Sequence, residues 1–139
     1  MISIVVTCYN GIEYTRSFLE SLPSNTRHEY EVILVDDCSI DETKDLKVGE
    51  LGISKLIRHE KNLGMPKGIN DAVEVAEGKY VSIFNNDMLV GLDWDLHLVK
   101  ALETYPDLGL TQGILIGDLD AFNNYQPTKN GRVFMWWKR

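Results

Sequence analysis

The chain has 139 residues, 44% of them hydrophobic and 25% charged, which suits one globular domain with a core of its own. A formal net charge of -7 excludes the basic face that a nucleic-acid partner needs. It leaves room for a small phosphate ligand, whose charge a metal ion and a few local groups can offset.

The first element is Ile2 to Thr7, a continuous apolar run that reads as a strand buried on both faces; Asn10-Gly11 is the turn after it. Tyr14, Phe18, Leu19 and Leu22 form a helical stripe over Ile12 to Leu22, with Pro23-Ser24-Asn25 as its stop. A second apolar strand, Tyr30 to Val35, ends in Asp36-Asp37. Ser39 and Glu42 have capping-box spacing, which predicts a helix through about Val48. Lys55 to Arg58 is a third, short strand. Pro66 suits the first turn of a helix whose Ile69, Ala72, Val73 and Ala76 share a face, with Gly78 at its end. Tyr80 to Phe84 is a fourth strand. Asp93 is placed to cap a helix running to Tyr105, before Pro106. Leu108 to Ile116 predicts a fifth strand, 117–131 a polar loop, and Val133 to Trp137 a last strand.

Strands alternating with helices indicate a single α/β domain over residues 1–139, built on a mostly parallel sheet. No apolar run reaches membrane-spanning length, and the apolar N-terminus lacks the basic region of a signal peptide. Cys8 and Cys38 offer neither a disulfide framework nor metal-ligand spacing, so free thiols in a reducing cytoplasm are expected. His28, His59 and His97 are scattered and read as surface or structural residues.

Parallel α/β sheets bind ligands outside the carboxyl ends of their strands. Here those ends carry Thr7, Tyr9 and Asn10; Asp36, Asp37 and Ser39; His59, Asn62 and Gly64; and Asn85, Asn86 and Asp87. Asp36-Asp37 suits hydrogen bonds from a base or ribose, and Asp87 suits a hard metal ion on phosphate oxygens. Acidic residues also follow strands simply to cap a helix or make a turn, and position alone leaves both readings open. Neither G-x-G-x-x-G nor G-x-x-x-x-G-K-[ST] is present, which disfavours a dinucleotide-binding domain and a P-loop NTPase.

Four segments together resemble the family 2 glycosyltransferases. They are Ser3 to Asn10; Glu31 to Thr43, close to V-D-D-G-S-x-D-x-T with Cys38 in place of the usual Gly; Asn62-Leu63-Gly64 with Asn70 and Ala76 to Tyr80; and Phe84-Asn85-Asn86-Asp87, similar to an N-N-D form of the D-x-D motif. The resemblance implies the GT-A fold, a Rossmann-like three-layer α/β/α domain. It implies transfer of a sugar from a UDP- or dTDP-sugar donor to a saccharide, lipid or protein acceptor hydroxyl, with inversion and with Mn2+ or Mg2+. Thr7, Tyr9, Asn10, Asp36, Asp37 and Asn86 would line the nucleotide-sugar site, joined by Asn62, Lys67 and Asn70. Asp87 would hold the metal, with Asn85 as a weaker ligand where the family often has Asp.

In the family the general base lies well beyond the D-x-D motif, in a segment that this chain lacks. Asp118 and Asp120 are the late loop carboxylates, which more simply solvate the loop. Trp136 and Trp137 would form an apolar pair seeking cover from a partner chain or a second copy. The alternative function is a catalytically inactive nucleotide-sugar-binding or interaction module. A phosphoryl-accepting signalling domain fits less well, because its acidic pair follows the first strand rather than the second.

Overall fold

The computed structural model describes residues 1–105 and 107–111 and the backbone of residues 136–138. The strands are β1 (Ile2–Cys8), β2 (Tyr30–Asp36), β3 (Lys55–Arg58), β4 (Tyr80–Asn85), β5 (Leu110–Thr111) and β6 (Trp136–Lys138). The helices are α1 (Ile12–Asn25), α2 (Met65–Val75) and α3 (Trp94–Thr104). The sheet order is β3-β2-β1-β4-β6-β5. The first four strands are mutually parallel, while β6 pairs antiparallel with both β4 and β5. From β1 the chain winds outward to β2 and β3, then returns to place β4 on the other side of β1. The winding therefore reverses between β1 and β4, and there the loops leaving the two strands diverge and open a crevice.

Strand alternation divides the core into two layers. Ile2, Ile4, Val6 and Cys8 face one way and pack with Phe18, Leu19 and Leu22 of α1 and with Val99 and Leu102 of α3. Val5, Ile33, Val35, Val81 and Ile83 meet Ala72 and Ala76 on the other face, with Ile69 and Val73 against them. These are the α2 positions that the helical stripe predicts. The result is the expected α/β/α sandwich. Phe84 bridges Phe18 and Trp94, with ring centroids 5.1 Å apart in each pair, and so ties the end of β4 to α1 and α3.

A polar cluster closes the amino end of the sheet. Ser3 Oγ donates to Glu31 Oε1 at 2.6 Å, the Glu77 N–H donates to the same oxygen, and Lys55 pairs with Glu31 Oε2 at 2.9 Å. The Gly78 N–H donates to Ser3 Oγ at 2.8 Å. A Cβ on residue 78 would stand 2.5 Å from the Ser3 nitrogen, so glycine is there for backbone approach and not, as the sequence suggests, to end α2.

Three local expectations are corrected. The helix predicted from Ser39 to Val48 is one short 3-10 turn, Glu42–Asp45, with a second, Glu50–Gly52, just beyond it. Beyond Ser39 only Thr43 and Leu46 are buried in that stretch, too narrow an apolar face for a helix. Arg58 also draws the carbonyls of Thr43 and Leu46 away, donating to them at 3.4 and 3.3 Å. Second, α1 runs through Pro23 to Asn25. Ser21 Oγ donates to the Phe18 carbonyl and Asn25 Nδ2 to the Ser21 carbonyl, so side chains bond the last turn where proline weakens the ladder. Third, Asp93 does not cap α3 with its side chain; it takes a left-handed φ of 57° and pairs with Arg27. Of the predicted fifth strand, Leu110–Thr111 is seen. The loop at 117–131, with Asp118 and Asp120, lies outside the described residues, as do the side chains of Trp136 and Trp137.

Candidate functional site

The crevice between β1 and β4 holds a pocket of about 280 Å³. Thr7, Cys8 and Tyr9 line it from the end of β1, Asp37 from beyond β2, and Asn62, Gly64 and Met65 from the β3–α2 connection. Asn85, Asn86 and Asp87 line it from the end of β4. Four loops far apart in sequence thus meet at one sheet edge, because parallel strands all end on the same side.

The loops are fixed to one another by short polar contacts. Asn10, at φ 60°, gives its N–H to Ser39 Oγ at 2.7 Å, while its own Oδ1 accepts from the N–H groups of Ile40 and Asp41. Asp41 answers across the gap: its Oδ2 accepts from the Gly11 and Ile12 N–H groups at 2.6 and 3.2 Å. Gly11 has no side chain to cap α1, so a carboxylate thirty residues away caps it instead. Asn86 Nδ2 donates to Thr15 Oγ1 at 2.9 Å and to the Asn10 carbonyl, joining the β4 loop to the same unit.

The acidic pair after β2 divides its work. Asp36 is fully buried; it accepts from the Ser39 N–H and from Arg58 Nε, at 2.8 and 2.9 Å. Asp37 faces the pocket. Its Oδ1 accepts from the Leu63 N–H and contacts His59 Nδ1 at 2.7 Å, and its Oδ2 accepts from the Gly64 N–H at 2.8 Å. Burial alone would raise the Asp37 carboxyl, but the Leu63, His59 and Gly64 bonds outweigh it and hold the group below the ordinary carboxylate value. Burial, with the Asp36 charge nearby, pushes the Cys8 thiol up to about 12, so Cys8 is an inert part of the wall.

Of the residues singled out from sequence, Thr7, Tyr9, Asp37, Asn62, Asn85, Asn86 and Asp87 come together at the pocket. Tyr9 is exposed there, presenting an aromatic surface to solvent, and Asp87 is exposed as well. Asn10 and Asp36 do not line the pocket; they hold the loops that do. Lys67 is exposed and paired with Asp71 one helical turn on, and Asn70 is exposed on α2; neither lines the pocket. Cys8 and Met65 are lining residues that the sequence reading left out, and Gly64, read at the end of the third strand, lines the pocket too. Asp41 and Arg58 are its missed organisers, while the doubly bonded His59 has the structural part that the sequence reading allowed. Arg58 had a visible signal, since the parallel register places it beside Asp36.

Residues 3–139 match the profile of glycosyl transferase family 2. The chain belongs to that family. It is 31% identical over 98 residues to poly(ribitol-phosphate) beta-glucosyltransferase of Bacillus spizizenii, covering 65% of this chain and 15% of that one. The solved structure of S. aureus TarS in complex with UDP-GlcNAc is 31% identical, with a TM-score of 0.64 over 76% of this chain and 32% of that one. Mannosyltransferase PcManGT from Pyrobaculum calidifontis, in complex with GDP-Man and Mn2+, gives a TM-score of 0.74 over 99% of this chain and 44% of that one. At 22% identity, that likeness shows the GT-A fold alone. This family 2 chain spans about a third of the length of the first curated relatives it matches, 36% and 32%. No helix among the described residues is long and apolar enough to cross a membrane.

Proposed function

We propose that the pocket binds a nucleotide-sugar donor and that the chain supplies the donor side of an inverting, divalent-cation-assisted glycosyl transfer. The observation that carries this is the meeting, at the β1/β4 crevice, of an aromatic surface, a held carboxylate and an amide-rich loop ending in Asp87. Tyr9 offers a face to a base, Thr7 and Asp37 polar contacts to the nucleoside, and Asn62, Asn85 and Asn86 amide groups to phosphate or sugar oxygens. TarS, at similar identity, is known in complexes with UDP and with UDP-GlcNAc, which supports a uridine donor over a dTDP one.

Asp87 and the Asn85 amide oxygen are hard donors, which fits Mg2+ or Mn2+. Among the described residues no group of three or more His, Cys, Asp or Glu side chains could hold a metal. The ion would therefore be shared with phosphate oxygens and water, the habit of Mg2+. When bound, it supplies charge stabilisation to the departing diphosphate. In the transfer, an acceptor oxygen bonds to the anomeric carbon as the bond from that carbon to the phosphate oxygen breaks. The acceptor proton must pass to a base.

Among the described residues, the carboxylates lining the pocket are Asp37 and Asp87. The first is occupied by three donors and the second is the metal ligand, so neither is free to take that proton. A second reading is a module that binds donor without transferring it. Calorimetry with UDP-, dTDP- and GDP-sugars, with and without Mn2+, tests the donor site. Binding that needs metal and is lost in Asp87→Ala is expected; no binding to any member by folded chain would overturn it. Measured transfer or donor hydrolysis then separates enzyme from module.

A further inference from the structure

His59 sits under the pocket with its side chain 7% exposed. Its Nδ1 is 2.7 Å from Asp37 Oδ1 and its Nε2 is 3.1 Å from Asp71 Oδ2. We propose that His59 is a positioning residue for the nucleotide site, a two-headed donor that locks Asp37 against α2 while its ring is protonated and loosens it when the ring is neutral. This rests on the donor-site reading and adds to it a residue through which affinity is tuned.

The chemistry follows from the two contacts. A neutral imidazole has one N–H and one lone pair, and both of its neighbours here are carboxylate oxygens, which only accept. Both contacts are hydrogen bonds only when both ring nitrogens carry hydrogen. On losing a proton the ring keeps one of them. The Asp71 contact is the longer and the more exposed, so the bond to Asp37 survives and a lone pair is left facing Asp71 Oδ2. The ring then loses its outer anchor, and Asp37 keeps its Leu63 and Gly64 bonds but loses its link through the ring to α2.

The charged neighbours are few. Asp37 faces the ring from the end of β2, and Asp71 from α2, itself paired with the exposed Lys67. Beside His59 in sequence, Arg58 at the end of β3 is turned to Asp36 and Glu60 is exposed. The backbone around the ring is already fixed: the His59 N–H donates to the Asp36 carbonyl, and Leu63 and Gly64 donate to Asp37. Losing the outer bond therefore shifts a side chain without unfolding the loop.

The test is UDP-GlcNAc binding by calorimetry from pH 5.5 to 8 with Mn2+, on the parent, His59→Gln and Asp71→Asn, with melting curves alongside. UDP-GlcNAc is chosen because its diphosphate is esterified at both ends and does not titrate there. Parent affinity is expected to fall as pH rises. His59→Gln, which donates from one side only, should bind about tenfold more weakly at pH 6, as expected for one lost charge-assisted bond, and lose the pH dependence. Asp71→Asn should also flatten the profile, because an amide can donate to a neutral ring. A folded His59→Gln with the parent's affinity and slope would overturn the positioning role alone. Failure of the parent to bind at any pH would overturn the donor reading and this role with it. A long-range nitrogen–proton spectrum of the ligand-free chain checks the clamp separately: two protonated ring nitrogens at pH 5.5 are expected, and a fixed neutral tautomer there would sink it.

Discussion

Cys38 occupies a backbone position that most side chains avoid. Its φ is 71°, in the left-handed region, where a Cβ crowds the following carbonyl at a cost of about 1–2 kcal/mol. The V-D-D-G-S pattern that this segment resembles has glycine at this point, and a φ of 71° is one that glycine adopts without strain. The thiol recovers little, with one weak contact to the Glu60 carbonyl at 3.4 Å. Cys38→Gly should therefore relieve strain. Glycine's greater freedom in the unfolded chain takes back roughly 0.5–1 kcal/mol, leaving a net gain of about 0.5–1 kcal/mol. Urea titration of the two proteins at pH 7 would read this as a higher midpoint at unchanged slope. A lower midpoint in the variant would mean that the thiol contributes packing that the Glu60 contact does not reveal.

The elements around the pocket were legible to the degree that their signals were local. β1, β2, β3 and β4 fall where apolar runs predict them, and α2 buries its predicted face, because period and burial are written in neighbouring residues. The start of α1 at Ile12 falls where the Ile12 to Leu22 stripe predicts it, but its cap, Asp41, is in contact through the fold rather than the sequence. The same holds for the Ser39–Glu42 pattern. Asn10 takes the Ser39 hydroxyl and Arg58 takes two carbonyls, so tertiary partners defeat a helix that the spacing alone would start. Site residues divide likewise. Strand ends placed seven of them at the pocket, while Asn10 and Asp36 turned inward to partners that no local pattern shows. Asp41 is the most consequential of the hidden residues. Asp41→Ala would leave the N–H groups of Gly11, Ile12 and Thr43 without their acceptor. A cost of about 2 kcal/mol is expected, at the upper end for a lost cap because the bonds are to a charge. Asp41→Asn should cost less, as one amide oxygen can still accept from α1. Chemical denaturation of both variants checks this, and equal stability of Asp41→Ala and parent would show that the α1 end is satisfied by water.

Across the whole molecule, four carboxylates act as long-range staples. Glu31 joins β1, β2 and the turn before β4; Asp37 joins β2 to the α2 approach; Asp41 caps α1; and fully buried Asp95 holds the Arg27 and His28 N–H groups and the His28 ring. In each, burial would raise the carboxyl, but hydrogen bonds to the charged form prevail and the group lies below its ordinary value. The sign of the linkage follows. Between the lowered folded values and the ordinary unfolded value near pH 4, the unfolded chain binds more protons than the folded one. Stability from these groups is thus complete above that value and drains away as pH falls through the folded ones. Urea midpoints should be nearly level from pH 7 to about 5 and fall steeply below about pH 4. Asp95→Asn should start lower at pH 7, since its amide accepts fewer of these contacts, and should lose less on acidification, since it has no proton to take up. An acid slope unchanged by that substitution would remove Asp95 from the set and leave the pocket-side pair and Glu31 to account for the whole effect.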